Sequence, residues 1–461
     1  MPVLGAFVVP HPPLIIPEIG RGREKSIQKT IDSYKQIANK IKELEPDTII
    51  ISSPHSTMYS DYVHISPGIN ATGTFKNFGA EEVSFSETYD IELVNEIEKL
   101  ANKHNFPAGT KGEKDKNLDH GTMVPLHFIR EVYNKGKIIR LGISGLSYQE
   151  HYILGQIIKE AIDNLNRRVV YIASGDLSHC LKEDGPYGYV KEGPIYDKKT
   201  MEILEKKEFD KLIEFDKDLC EKARECGHRS FIIMSGVLDG YNVESTVYSH
   251  EDITGVGYGI CSYIPKERNE ERKFLKKYFD KENNRLNHKY QNTDEFVTLA
   301  KKTIELYIKE GIKNKETNYL PDNLLSTKAG IFVSIHKFGK LRGCIGTIFP
   351  VRNCIAEEII ENAISAAVHD YRFAPITEKE LDYLDINVDE LSELEPVYDI
   401  NTLDPKKYGI VVSTKEKRGV LLPDIEGVNT VEEQIEICKR KGNINPTEEI
   451  TIEKFTVIRH K

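Results

Sequence analysis

Histidines that follow the ends of apolar strands are the feature that most constrains the fold of this sequence. The apolar stretch Val3 to Val9 is followed by His11, and the stretch Thr48 to Ser52 is followed by His55. A third apolar stretch leads through a turn of small residues to His179. Helical patterns separate these strands, and this alternation predicts an α/β sheet whose ligand site lies at the carboxyl edge of the strands.

Length and composition exclude several classes of protein. A chain of 461 residues is long enough for two or three domains, each with its own core. Its 73 acidic and 63 basic residues give a formal net charge of -10, which argues against nucleic acid as a partner. The seven cysteines are scattered without a CxxC pair, which argues against a disulfide framework and a zinc knuckle.

Apolar runs in the sequence are short. None approaches the ~20 residues that a membrane-spanning helix needs, and the N-terminus shows no secretion signal. We therefore expect a cytoplasmic protein with no membrane partner.

A strongly charged segment, residues 267–292, divides the chain. Such a segment is typical of a solvated helix face or a linker. The strand, histidine and helix pattern occupies residues 1–266, whereas residues 293–461 alternate short strands and turns around an alanine-rich helix. We predict an N-terminal α/β domain over 1–266, a linker, and a smaller C-terminal α+β domain over 293–461.

Four histidines, His11, His55, His120 and His179, stand at strand ends or at the start of turns of small residues. Because strand ends converge at one edge of an α/β sheet, these side chains can meet around one ion. Two imidazoles and one carboxylate on one face of the ion would indicate ferrous iron. Three protein ligands and a water would serve zinc and hydrolysis equally well, so the residue pattern leaves both metals open.

The flanks of these histidines form recognisable motifs: Pro10-His11-Pro12-Pro13, Ser53-Pro54-His55, Asp119-His120-Gly121 and Ser174-Gly175-Asp176-Leu177-Ser178-His179. In order and spacing they resemble the class III extradiol ring-cleavage dioxygenases and their relative Memo, over roughly residues 1–265. The resemblance implies that His11 and His55 bind the metal and that His179 is the acid/base beside the substrate. It also implies that His120 lines the pocket, where we count it with His179 among the catalytic candidates.

The third metal ligand has two candidates, Glu225 and Cys226, which are adjacent in the sequence. The dioxygenases use a glutamate that opens a late helix, whereas Memo-like members place a cysteine in that segment. We predict Glu225, since a carboxylate completes an oxygen-activating set and a thiolate favours softer ions, and we keep Cys226 as the alternative. Glu251 is a weaker rival carboxylate.

The activity implied by this resemblance is ring cleavage of a catechol-like aromatic by O2, with iron(II) as the expected cofactor and zinc as a possible one. In this mechanism a histidine of near-neutral pKa takes a proton from the catechol and later returns it. The expected partners are a small aromatic substrate and O2.

The C-terminal part carries other motifs: Leu341-Arg342-Gly343-Cys344-Ile345-Gly346, Ala366-Ala367-Val368-His369-Asp370-Tyr371-Arg372-Phe373 and Gly419-Val420-Leu421-Leu422-Pro423. They resemble the AMMECR1 family from about residue 293 to the C-terminus. The activity of that family is unsettled, so the resemblance implies a fold and little chemistry. Arg342 and Cys344 are the further candidate residues, because two glycines beside a cysteine can leave its thiol accessible.

The fusion of the two domains supports an alternative function. Memo-like and AMMECR1-like proteins commonly accompany a radical SAM enzyme, which implies a component of a modification system without dioxygenase activity. The chain has no CxxxCxxC motif, so the radical chemistry would belong to a separate radical SAM protein. A zinc hydrolase is the third hypothesis.

Overall fold

The computed structural model describes residues 2–115, 117–425 and 427–461. The chain forms two compact units, Met1–Tyr278 and Phe279–Lys461. Helix α10 (Phe274–Gln291) occupies most of the charged segment that was predicted as a linker. Among the described residues, no helix combines the length and the apolar character that crossing a membrane requires.

Strands and helices alternate along the first unit. Its strands are β1 (Val3–Val9), β2 (Thr48–Ser53), β3 (Val63–His64), β4 (Asn70–Phe75), β5 (Ala80–Thr88), β6 (Ala108–Gly109), β7 (Lys137–Gly142), β8 (Val169–Ser174), β9 (Tyr241–Glu251) and β10 (Tyr258–Arg268). Its helices are α1 (Pro17–Gly20), α2 (Gln28–Leu44), α3 (Ile91–Lys103), α4 (His120–Val132), α5 (Tyr148–Leu165), α6 (Glu192–Lys206), α7 (Asp210–Ile213), α8 (Lys217–Ala223) and α9 (His228–Val237).

The main sheet of this unit has six strands in the order β7-β2-β8-β1-β10-β9. Strands β7, β2, β8 and β1 run parallel, β10 is antiparallel to β1, and the edge strand β9 is antiparallel to β10. Every residue of β2 and β8 is buried, which indicates that both faces of the sheet are covered. The predicted α/β class is confirmed, and the carboxyl ends of β1, β2 and β8 lie side by side.

Helix α2 illustrates why these segments fold as they do. Ile31, Tyr34, Ile37 and Ile41 recur at helical spacing, are buried, and belong to the same core as the inward residues of β1 and β2. The buried Tyr34 hydroxyl donates a hydrogen bond to the carbonyl of Pro10, directly before His11. The core therefore also fixes the chain where β1 ends.

The second unit is built from antiparallel sheets and helices. Its strands are β11 (Gly330–Lys337), β12 (Lys340–Thr347), β13 (Leu384–Leu391), β14 (Glu395–Pro396), β15 (Gly409–Ser413), β16 (Arg418–Leu421), β17 (Thr451–Phe455) and β18 (Val457–His460). Its helices are α11 (Glu295–Glu310), α12 (Asp322–Ser326), α13 (Ile355–Val368) and α14 (Val431–Lys441). The sheets have the orders β12-β11-β13-β18 and β14-β17-β15-β16, and the predicted α+β character of this smaller unit is confirmed.

Candidate metal centre

Three side chains with metal-ligating atoms meet at the carboxyl edge of the main sheet. His11 follows β1, His55 follows β2, and Cys226 lies in the turn before α9. His55 Nε2 lies 3.0 Å from His11 Nε2, and Cys226 Sγ lies 3.6 Å from the same nitrogen. His11 is buried, Cys226 is half-buried and His55 is exposed, so one side of the group is open.

The hydrogen bonds around His11 orient its ring for ligation. Ser174 Oγ donates to the carbonyl of Gly121 at 2.6 Å, so it accepts from His11 Nδ1 at 2.9 Å. The proton of His11 therefore sits on Nδ1, and the Nε2 lone pair faces His55 and Cys226. An outer-shell hydrogen bond of this kind fixes tautomer and orientation in metal-binding histidines.

His55 is held by the backbone around it. Ser53 Oγ donates to Asp119 Oδ1 at 2.5 Å and accepts from the backbone N–H of His55 at 3.2 Å. Asp119 also caps helix α4, and His120 begins that helix. The ring centroids of His55 and His120 are 4.0 Å apart. The Asp-His-Gly motif thus places His120 beside the ligands.

The position of Cys226 depends on a close approach between two loops. A Cβ atom on Gly175 would lie 2.1 Å from the Cα of Gly227, so any side chain there would collide with the turn that carries Cys226. The approach lets the backbone N–H of Asp176 donate to Cys226 Sγ at 3.2 Å. The turn after β8 therefore fixes the thiol.

Glu225, the predicted third ligand, lies in other surroundings. Its Oε2 accepts from the backbone N–H of His228 at 2.6 Å, at the start of α9, and it interacts with the charge of Arg229. Burial raises the pKa of Glu225 to about 7. Within the described residues, the groups of potential ligands that contain His11, His55 or His179 include Cys226 and not Glu225. Of the two sequence alternatives, the structure brings Cys226 to the histidines.

His179 and Asp176 form a second group of potential ligands with Cys226. His179 Nδ1 donates to the carbonyl of Arg224 at 2.5 Å, so the lone pair of the ring is on Nε2. This nitrogen lies 3.9 Å from Asp176 Oδ2. The other oxygen of Asp176 accepts from the backbone N–H of His11 at 2.8 Å. The sequence motif contained Asp176 without assigning it a role, although an Asp in the turn directly after a predicted strand was a usable signal.

A cleft of about 750 Å³ opens beside the metal-ligating group. His55, His120, Phe78 and Arg140 are among its lining residues, and the rings of Phe78 and His120 meet edge to face at 5.3 Å. The guanidinium of Arg140 is buried and donates to backbone carbonyls, including that of Asp115 at 2.7 Å. The volume of the cleft lies in the range of small-molecule sites.

Burial keeps the histidines of the site neutral. It lowers the pKa of His11, with a further effect from His55, and it lowers the pKa of His120 to about 4. The pKa values of His55 and His179 are also lowered, mainly by burial. Neutral imidazoles are the form that binds metals.

Burial raises the pKa values of the acidic groups of the site. Burial raises the pKa of Asp176 to about 7, and burial followed by the charge of Asp176 raises the pKa of Cys226. Metal binding requires the thiolate, so a cation would have to displace this proton.

The donor set fits a transition-metal ion. Two imidazoles, whose Nε2 atoms are 3.0 Å apart, and one thiol place their ligand atoms within 4.8 Å of one another. Imidazole suits zinc, copper, iron and nickel, and a thiolate shifts preference toward softer ions. With a thiol in place of the expected carboxylate, the three side chains still have the spacing of a site for one metal ion.

The two candidates in the second unit lie on β12. Arg342 Nε donates to Glu380 Oε1 at 3.0 Å, so its charge is paired. Cys344 Sγ lies 3.2 Å from Ser334 Oγ, and burial raises the pKa of the Cys344 thiol. At neutral pH this thiol is protonated, which is not the form of a reactive cysteine.

Glu251, the rival carboxylate, lies away from the histidines. Its Oε2 accepts from the backbone N–H of Thr30 at 2.7 Å, in the first turn of α2. A carboxylate at that position accepts a hydrogen bond from a helix N–H group that has no partner within the helix. It also interacts favourably with the positive end of the helix dipole.

Comparison with known proteins identifies a family for each unit of the chain. Residues 5–261 match the family of the catalytic LigB subunit of aromatic ring-opening dioxygenase, and residues 297–460 match AMMECR1. A protein of Clostridium acetobutylicum is 42% identical over 469 aligned residues, covering 100% of both chains. A protein of Thermotoga maritima is 48% identical over 168 residues, covering 36% of this chain and 97% of its own.

Two crystal structures show partial similarity. An uncharacterised protein of Pyrococcus horikoshii aligns with 36% of this chain and 88% of its own, with 29% identity and a TM-score of 0.34. An uncharacterised protein of Escherichia coli K12 aligns with 56% of this chain and 99% of its own, with 12% identity and a TM-score of 0.38. From the family matches and the full-length relative, the chain belongs to the family of the catalytic LigB subunit of aromatic ring-opening dioxygenases, with an AMMECR1 domain following in the same chain.

Proposed function

We propose that the first unit is an oxygen-dependent metalloenzyme that opens a catechol-like aromatic ring, with iron(II) held by His11, His55 and Cys226. The observation that carries the proposal is the convergence of these three donors beside a cleft of about 750 Å³. The match to the ring-opening dioxygenase family supports the same reaction class. When bound, iron(II) would supply the position at which an aromatic diol and O2 meet.

The histidines that are not ligands provide the proton chemistry. His179 keeps a proton on Nδ1 through its bond to the Arg224 carbonyl, so Nε2 can accept a proton from a substrate hydroxyl and later return it. His120 lies against His55 in the wall of the cleft, where it can orient the same hydroxyls by hydrogen bonding. Both are proposed as catalytic residues.

Oxygen consumption tests the proposal. The full chain is stripped of metal, reloaded with ferrous iron under anaerobic conditions, and mixed with a panel of catechols in oxygenated buffer. We expect O2 uptake matched by ring-opened product, and loss of both in His55→Ala. His127→Ala is the matched control, since His127 lies on α4 and pairs with Glu131 outside the site. Iron binding without O2 uptake for any catechol would contradict the proposal.

A second function is favoured by the thiol in the donor set. A thiolate in place of the carboxylate suits ions softer than ferrous iron, and oxygen activation commonly uses two histidines and a carboxylate. In this case the chain, with its own AMMECR1 domain, would be a metal-binding component of a modification system. A separate radical SAM protein would carry out the radical chemistry. Copper or zinc retained through anaerobic purification, together with no O2 uptake, would support this second function.

A further inference from the structure

A second set of metal-ligating side chains lies beside the first. Asp176, His179 and Cys226 place ligand atoms within 4.8 Å of one another, and Cys226 belongs to both sets. His179 Nε2 and Asp176 Oδ2 are 3.9 Å apart. Ligands ~2.0 to 2.3 Å from one ion stand roughly 3 to 4 Å from each other, so this spacing suits a shared cation.

The hydrogen bonds leave ligand lone pairs free in this second set. His179 uses Nδ1 to donate to the carbonyl of Arg224, which leaves Nε2 as an acceptor. Asp176 uses Oδ1 to accept from the backbone N–H of His11. Within the part of the chain that the structure describes, no hydrogen bond is donated to Asp176 Oδ2. The two free atoms are the two that face each other.

The acidic donors of the cluster also suit a bound cation. Asp176 and Cys226 are its two acidic donors, and among the described residues neither forms an ion pair with a lysine or an arginine. Asp176 is buried and Cys226 is half-buried. Once deprotonated, such buried groups need a cation beside them, because desolvation of an isolated charge is costly.

We infer that the first unit binds two metal ions, one at His11, His55 and Cys226 and a second at Asp176, His179 and Cys226, with the Cys226 sulfur shared between them. The inference rests on the proposed function only for the first ion. Imidazole, carboxylate and thiolate together suit zinc, cobalt or iron at the second position. With that ion bound, His179 Nε2 would be a ligand, so the general-base role proposed for His179 belongs to the protein that holds the first ion alone.

Cobalt(II) is the probe that tests this inference. The metal-free full chain is titrated anaerobically, and bound cobalt is measured by equilibrium dialysis and metal analysis while sulfur-to-cobalt absorption is recorded. We expect two equivalents in the unmodified chain, one in His179→Ala and Asp176→Asn, and one in His55→Ala. Cys226→Ser should lose the sulfur absorption. His127→Ala is the matched control and should keep both ions, since His127 pairs with Glu131 on α4 and belongs to neither set.

The outcomes separate the two proposals. A single equivalent in the unmodified chain would overturn the inference, and so would one ion that is lost in both His55→Ala and His179→Ala. No cobalt binding at all would overturn the inference together with the metal centre of the proposed function. Two bound cobalt ions, together with no O2 uptake by the iron-loaded chain, would support the inference and contradict the dioxygenase activity. Circular dichroism checks each variant's fold, and His179→Gln repeats the test with a side chain of similar size.

Discussion

Glu225 and Cys226 are neighbours in the chain, and single-residue changes separate their roles. Cys226→Ser should weaken metal binding by more than the ~10 to 100-fold that the loss of an outer-shell partner costs, because it removes a direct donor. Glu225→Gln should keep the metal, since that side chain bonds the start of α9. Anaerobic metal analysis of both variants measures the difference. If Glu225→Gln lost the metal and Cys226→Ser kept it, the third ligand would be Glu225.

Ser174 is a positioning residue that the structure adds to the site. Ser174→Ala removes the acceptor for His11 Nδ1, so the ring loses the bond that fixes its tautomer. We expect metal affinity to fall by ~10 to 100-fold with the ligands intact. Ser174→Thr keeps a hydroxyl and should recover most of the affinity. Equal affinity in Ser174→Ala and the unmodified chain would remove this role.

Removal of the His179 side chain is expected to lower the rate of ring cleavage. His179→Ala should retain the ion at His11 and His55 and slow ring cleavage by the ~100 to 10,000-fold typical of a lost general base. Steady-state kinetics with an active catechol measure the effect. Because burial lowers the pKa of His179 from its ordinary value, the variant should also lose the fall in activity that protonation of this ring causes on the acidic side of the pH profile. Unchanged turnover would exclude His179 from the mechanism.

At the scale of elements, the contact between the turn after β8 and the turn before α9 holds the site together. Gly175→Ala should destabilise the first unit by about 1 to 3 kcal/mol, because a Cβ would lie 2.1 Å from the Cα of Gly227. Gly5→Ala on β1 is the control, since its Cβ would meet flexible side chains at 3.1 Å or more. Urea unfolding followed by circular dichroism compares them, and equal stability would refute the argument.

An acidic group in the second unit makes the stability of that unit depend on pH. Arg372 Nε donates to Asp370 Oδ1 at 2.8 Å and lowers the pKa of Asp370 to about 2. A folded-state pKa below the ordinary value stabilises the fold above pH ~4, and the contribution is lost as pH falls from ~4 to 2. The stability difference between the unmodified chain and Asp370→Asn should therefore shrink over that range. A difference that stays constant would contradict this assignment.

The sequence pattern predicts the sheet edge better than it predicts the ligands on it. Strand ends at His11, His55 and His179 follow from apolar runs that stop at turn residues, and parallel pairing of β1, β2 and β8 brings them together. The choice between Glu225 and Cys226 depends on backbone direction in one turn, which periodicity does not encode. The close approach at Gly175 that sets this direction arises from tertiary packing.

At the scale of the whole molecule, each unit has its own core, and metal should stabilise only the first. An ion that binds the folded state at 100 times its Kd adds about 2.7 kcal/mol to the free energy of unfolding. We expect added metal to raise the unfolding temperature of residues 1–278 and to leave that of residues 279–461 unchanged. Hydrogen exchange with and without metal assigns the protection to each unit. Equal protection in both units would contradict a site built from the first unit alone.

X-ray absorption spectroscopy on metal-loaded protein tests the central claim most directly, because it reports the atoms bound to the ion. The account predicts imidazole nitrogens together with a sulfur ligand near ~2.3 Å, and loss of the sulfur in Cys226→Ser. His55→Ala should lower the imidazole contribution while the sulfur remains. A spectrum with nitrogen and oxygen ligands only, unchanged in Cys226→Ser, would contradict the metal centre formed by His11, His55 and Cys226.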